Sequence, residues 1–221
     1  MKLPPLLVAL AFLGGCAAAP PPALVPLSGP PTGLEQACAS VYPRGRWQFV
    51  HLIEFRRGND RGTVIGVTVL DRERIDCILT TTEGMTLFQA REGQQLEILR
   101  AVPPFDRPGF GTGLMRDVHT LFRRPGAASV RYGSLGGEEV CRLLAPDGRV
   151  TDILPAGDHC FRIHTWSPDR SATQTVVADQ CRIRQGYRLP GTLVLSAAGA
   201  EPYTLRMTLV DVQPPPGDDV P

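Results

Sequence analysis

Ser134 is the first residue to weigh as a nucleophile, because it lies in Gly133-Ser134-Leu135-Gly136-Gly137. The serine-hydrolase elbow reads Gly-x-Ser-x-Gly, with a strand before the serine and a helix after it. Tyr132 holds the first position here, and the neighbours read as a loop between strands, so neither pattern nor context fits. The histidines are His51, His119, His159 and His164. His159 and His164 would point to opposite faces of one strand, which suits a metal poorly. His119 falls at the edge of a helical stripe, where it either lines a cavity mouth or is simply half-buried. There is no phosphate loop, so no catalytic residue, metal or cofactor is expected.

The remaining chemistry is sulfur chemistry. The chain has six cysteines and no Cys-x-x-Cys, which weakens zinc and redox readings. Cys16 closes an apolar run at residues 3–13, interrupted only by Pro4-Pro5. That run has the length of a signal-peptide core and is short of the roughly 20 residues a membrane span needs. It ends Leu13-Gly14-Gly15-Cys16, which resembles the bacterial lipobox. In such signals the thiol takes a diacylglycerol, the peptide is cut before the cysteine, and the new amino group is acylated. The alternatives are an ordinary cleaved signal or an N-terminal core helix. Ala17 stands where an Asp retains Gram-negative lipoproteins in the inner membrane, so the outer membrane is the expected address. Partner to the membrane would be this N-terminal lipid, each buried methylene contributing about 0.8 kcal/mol.

Cys38, Cys77, Cys141, Cys160 and Cys181 remain, an odd number, in a compartment that permits disulfides. Cys160 and Cys181 flank a turn at residues 167–171 and are placed to pair across a hairpin; buried free thiols are the alternative. At least one of the five is unpaired in a monomer, the expected state. The formal charge is +1, and loss of residues 1–15 removes Lys2 and brings it to zero. A neutral chain without an Arg/aromatic stripe argues against a nucleic-acid partner.

The elements that must position these residues follow from periodicity. Residues 16–33 are dominated by Pro and Ala and read as a stiff tether, residues 34–213 as one domain, and residues 214–221 as a disordered tail. Leu34, Cys38 and Val41 form one face of a short helix. Residues 47–55 alternate, with Trp47, Phe49, His51, Ile53 and Phe55 on one face. Strand-like runs follow at 62–70, 75–82, 85–90 and 96–102, joined by tight turns. From 108 to 122 the period changes: Phe110, Leu114, Val118, Leu121 and Phe122 share a stripe, with Arg116, Asp117 and Thr120 outside it. Gly109, Gly111 and Gly113 predict a loose first turn. Strands resume at 129–132, 139–144, 150–154, 160–166, 173–183, 191–196 and 203–212. The fold class is therefore all-β with minor α: a long antiparallel meander that must curl, with one helix inserted near its middle to cover the concave face.

This order, with the ending Arg188-Leu189-Pro190-x-x-Leu193-Val194-Leu195 and Tyr203-Thr204-Leu205-Arg206-Met207-Thr208-Leu209-Val210, resembles the outer-membrane lipoprotein receptor of the Lol pathway and its uncharacterised relatives. The resemblance covers most of residues 34–212 and rests on pattern, with no diagnostic motif. It implies an unclosed β-barrel of about eleven strands with a helical lid, holding acyl chains of a lipid or lipoprotein, and a periplasmic carrier protein as a partner. The residues expected to line the hollow are Phe49, Ile53, Phe55, Ile65, Val67, Leu87, Leu114, Val118 and Phe122; for each, ordinary core is the alternative. The family carries a Pro-Leu-Gly loop whose Leu projects for delivery to the membrane. The matching stretch here is Thr82-Glu83-Gly84, with Glu83 in the Leu position and Met85 beside it as the residue left to project. In order of preference, the chain reads as an acyl-binding lipoprotein of the outer membrane, a scaffold that binds a protein through a sheet edge, or an esterase.

Overall fold

A computed structural model describes residues 20–28, 32–155, 159–171, 173–184 and 187–213. The segment expected to be a signal, Cys16 and the tail at 214–221 lie outside the described residues. The order is α1 (Leu34–Ala39), β1 (Trp47–Arg57), β2 (Asp60–Leu70), β3 (Ile75–Thr80), β4 (Thr86–Glu92), β5 (Leu96–Ala101), α2 (Phe110–Phe122), β6 (Ser129–Leu135), β7 (Glu138–Leu144), β8 (Val150–Leu154), β9 (Phe161–Trp166), β10 (Thr173–Asp179), β11 (Arg182–Arg184), β12 (Tyr187–Leu189), β13 (Thr192–Ala198) and β14 (Tyr203–Gln213). Twelve strands form one antiparallel sheet in the order β5-β4-β3-β2-β1-β14-β13-β10-β9-β8-β7-β6, where about eleven were expected. The run expected as one strand at 173–183 is split. Gln180 has a φ of 55°, which turns the chain off the sheet into a separate β11–β12 hairpin.

The sheet is curved and is not closed into a barrel; its edges are β5 and β6. These two edges are consecutive in the chain and joined by the segment that contains α2, so the helix has to cross between them. Its buried side, Met115, Val118, Leu121 and Phe122, packs on the concave face. The glycines at its start serve close approach. A Cβ on Gly111 would stand 2.8 Å from Cδ1 of Ile98 on β5 and 3.4 Å from the Phe88 ring on β4. Asp117, expected outside the stripe, is buried. Its carboxylate accepts hydrogen bonds from the Tyr203 hydroxyl (2.7 and 2.8 Å) and from Nε2 of Gln174 (2.7 Å), tying α2 to β14 and β10.

Part of the segment expected to be tether belongs to the domain. Val25 exchanges two backbone hydrogen bonds with Ser134 on the β6 edge (3.0 and 2.8 Å), and Leu27 packs on the core. Gly133 permits this, since a Cβ there would meet Leu24 and the Val25 carbonyl at 2.8 Å.

Cys160 and Cys181 are joined in a disulfide, and so are Cys38 and Cys141, a bond that pins α1 to β7 across 103 residues of sequence. Cys77 is the free thiol left over; burial pushes it up to about 12, which keeps it unreactive. In the chain-entropy account, closing a loop of this length is worth roughly 4–5 kcal/mol. Cys38→Ala/Cys141→Ala is therefore expected to lower the midpoint of thermal unfolding by roughly 8–20 °C, on the order of 2–4 °C per kcal/mol for a domain of this size. Calorimetry under non-reducing conditions checks this; an unchanged midpoint contradicts it.

Two enclosed ionisable groups oppose each other. Burial raises Asp117 to about 6, and burial lowers His51, on the concave face of β1, to about 4. For Asp117 the raised folded value means stability present below the unfolded value and lost as pH rises to about 6. For His51 the lowered folded value means stability present at neutral pH and lost as pH falls toward 4. Each effect is worth on the order of 3 kcal/mol over nearly the same window, so they offset. Asp117→Asn, which keeps an acceptor for Tyr203, is expected to steepen the loss of stability on acidification from pH 6.5 toward 4, whereas His51→Phe reverses the slope. Urea unfolding across that range checks the signs; parallel curves for the three proteins contradict them.

Candidate functional site

The concave face is filled unevenly. Toward the β3–β4 turn, a cluster of Val64, Leu79, Leu87, Phe88 and Ala90 packs with Ile53, Phe55, Phe105, Phe110 and Leu114. Ile53, Phe55, Leu87 and Leu114, expected to line a hollow, pack in this cluster. Val118 sits in the main core. Ile65 and Val67 lie on the other face of the sheet: β2 buries Val64, Gly66, Thr68 and Leu70, so the opposite parity points outward. Gly66 is on the buried parity, where a Cβ would stand 2.5 Å from Cδ1 of Ile53.

The hollow is at the opposite end, where β1 begins and β2 ends. A cavity of about 340 Å³ is bounded by α1, the C-terminal turn of α2, β1, β13, β14 and the hairpin β11–β12. This is within the usual range for a small-molecule site, roughly 300–1,000 Å³. Of the residues expected to line a cavity, Phe49 and Phe122 do so. Their rings stack at 5.1 Å between centroids and 21° between planes. Leu121, Phe161, Leu193 and Leu209 complete the apolar wall, and the Cys160–Cys181 bridge borders it. The β11–β12 hairpin and α1 were weak or absent in the sequence signal for a cavity, since each is short and only half apolar.

Two polar atoms in this wall have no partner. The Tyr42 hydroxyl and Nδ1 of His51 are buried, with no hydrogen bond among the described residues. Each such orphan costs about 1–3 kcal/mol. Burial keeps the Tyr42 phenol protonated well above its ordinary range, with the charge of Arg124 pulling weakly the other way. His51 is neutral at pH 7, stacked beside Phe49 and tilted against Phe122 (5.8 Å). A second hollow of about 280 Å³ adjoins the first and shares Tyr42, Pro43, Arg44 and Phe122 with it. Arg72, Arg123 and Arg124 line this second hollow. Arg123 donates to the carbonyls of Asp71 (2.9 Å) and Arg74 (3.2 Å), and Asp71 pairs with Arg46 at 3.5 Å. Arg44, Arg72 and Arg124 make no ion pair among the described residues.

Glu83 and Met85 lie at the far end, on the β3–β4 turn. The Thr82 hydroxyl donates to the Glu83 carboxylate (2.7 Å), which lowers its pKa, and Met85 is exposed. The histidines are dispersed: His119 pairs with Glu92, His159 with Asp179 (2.6 Å), and His164 contacts Thr175 (3.2 Å). Ser134 is engaged through its backbone with Val25 and lies apart from the cavity lining.

No family model matches the chain, and no curated protein matches it. Thirteen chains of solved structures do. A LolA superfamily protein from Nitrosomonas europaea superposes with a TM-score of 0.55 at 11% identity, over 85% of this chain and 93% of that one. An outer membrane lipoprotein-sorting protein domain from Vibrio parahaemolyticus gives 0.36 at 8% identity, covering 84% and 92%, and a DUF1329 family protein from Desulfovibrio piger gives 0.39 at 7%, covering 85% and 94%. The first of these likenesses is a likeness of fold: the curved, open antiparallel sheet with a helix on its concave face is LolA-like.

Proposed function

We propose that this domain binds an acyl chain of a lipid or lipoprotein, for transfer or localisation in the cell envelope, and is held at the outer membrane by a lipid on Cys16. The observation that carries the reading is the cavity between α1, α2 and the β11–β12 hairpin, lined by aromatic and aliphatic side chains together with Gln36, Ser40, Arg44 and Arg188. An acyl chain asks only for a dry apolar lining and supplies the surface that such a wall lacks in water. The C-terminal turn of α2 acts as the lid, with Leu121 and Phe122 as its inner surface. Exposed Met85, beside a carboxylate at Glu83, is what the chain offers at the β3–β4 turn to a lipid surface or to a periplasmic carrier. The resemblance in sequence pattern and the LolA-like fold both support this reading.

A second reading has one observation in its favour. The β5 edge is unpaired among the described residues and exposes Ile98 and Leu99, which suits a scaffold that adds a partner's strand. The two readings separate on a cavity-filling variant. Ala37, on α1, lines the cavity and is half-buried, so Ala37→Phe places a ring in the hollow without disturbing the core. The soluble domain is expected to bind a fluorescent fatty acid, and Ala37→Phe to weaken that binding about tenfold or more at unchanged stability. Ile98→Asp/Leu99→Asp is expected to leave it intact. Binding unaffected by Ala37→Phe, or absent in the parent domain, contradicts the acyl-binding reading.

A further inference from the structure

We infer that the ligand is an amphiphile with an anionic headgroup, a carboxylate or a phosphate, seated where the two hollows meet. The inference rests on the acyl-binding reading and adds the chemistry of the head. Tyr42 lines both hollows, and its buried hydroxyl has no acceptor among the described residues. A phenol with no base nearby is a donor in search of an oxygen. Arg44, which lines both hollows, and Arg72 and Arg124, which line the second, are exposed and without ion pairs among the described residues. Arg124 is close enough for its charge to be felt at Tyr42. The nearest carboxylate in the lining, Asp71, is already paired with Arg46.

The arrangement has the order of an amphiphile. Phe49, Leu121, Phe161 and Leu209 supply apolar lining to the first hollow, Tyr42 and Arg44 line both, Arg188 lines the first, and Arg72, Arg123 and Arg124 line the second. A head with two or three oxygens accepts from the Tyr42 hydroxyl and from a guanidinium together, a charge-assisted geometry that arginine serves better than lysine. A neutral alcohol satisfies Tyr42 alone. A cationic head meets like charge, and the pairing of the anion weakens with salt because the arginines face water.

The test is displacement of a fluorescent fatty acid from the soluble domain by dodecanoate, dodecyl phosphate, dodecanol and dodecyltrimethylammonium, each below its micellar concentration, with inorganic phosphate as a further competitor. Dodecanoate or dodecyl phosphate is expected to displace the probe about tenfold more effectively than dodecanol, and the cation to be weakest. Arg44→Gln/Arg124→Gln is expected to abolish that preference, so that the anions displace the probe no better than dodecanol. Tyr42→Phe is expected to weaken all oxygen-headed ligands severalfold. The order of the two anions separates a carboxylate head from a phosphate head. Equal displacement by dodecanol and the anions, or a preference that survives the double Arg variant, overturns the proposal while acyl binding stands. Inorganic phosphate as effective as dodecyl phosphate also overturns it. Failure of all four amphiphiles overturns the acyl-binding reading itself.

Discussion

β1 pairs with β14 from Gln48–Gln213 to Arg57–Tyr203, and this one contact joins the first and last strands in the middle of the sheet. Everything else in the architecture depends on it. With the ends of the meander joined centrally, the free edges fall to β5 and β6, which are neighbours in the chain. The connection between them must bridge the open side, and that is where α2 lies. The helix is fastened there by its apolar stripe and by the Asp117–Tyr203–Gln174 hydrogen bonds. A buried carboxylate is an expensive fastener, and it holds only because both partners reach it. The β6 edge is partly covered by Val25, which limits pairing there with another chain.

The concave face then divides into a filled end and a hollow end. Phe88, Phe105 and Phe110 pack edge to face at 5.1 and 5.3 Å and occupy the end near the β3–β4 turn. At the other end α1, held by Cys38–Cys141, and the β11–β12 hairpin, held near Cys160–Cys181, form the sides of the cavity. Rigid sides keep the hollow from collapsing onto Phe49 and Phe122. A cavity that stays open with two unsatisfied polar atoms in its wall is a cost to folding, and a ligand with matching oxygens removes part of it.

The fold was largely legible in the chain. Alternation in residues 47–55 placed Trp47, Phe49 and His51 on one face, and the change of period at 108–122 marked the inserted helix. The site was legible in part. In 62–70, valine, isoleucine and leucine occupy both parities, so periodicity alone does not say which side is in; Ile65 and Val67 were assigned to the wrong one. Gly66, on the buried parity, lies against the Ile53 side chain. Asp117 escaped because a helical stripe counts apolar residues, and its partners Gln174 and Tyr203 lie 57 and 86 residues away. The Cys38–Cys141 bond left no local trace either, being a contact between α1 and β7 across 103 residues of sequence.

The account's central claim is that an acyl chain occupies the end of the sheet bounded by α1, α2 and β11–β12, with the other end filled by side chains. A fatty acid carrying a nitroxide on its chain, added to the domain with labelled leucine methyl groups, tests this in one NMR spectrum. The account predicts that the methyl signals of Leu121, Leu193 and Leu209 broaden while those of Leu79 and Leu87 persist. Broadening centred on Leu79 and Leu87, or none at all, would contradict it.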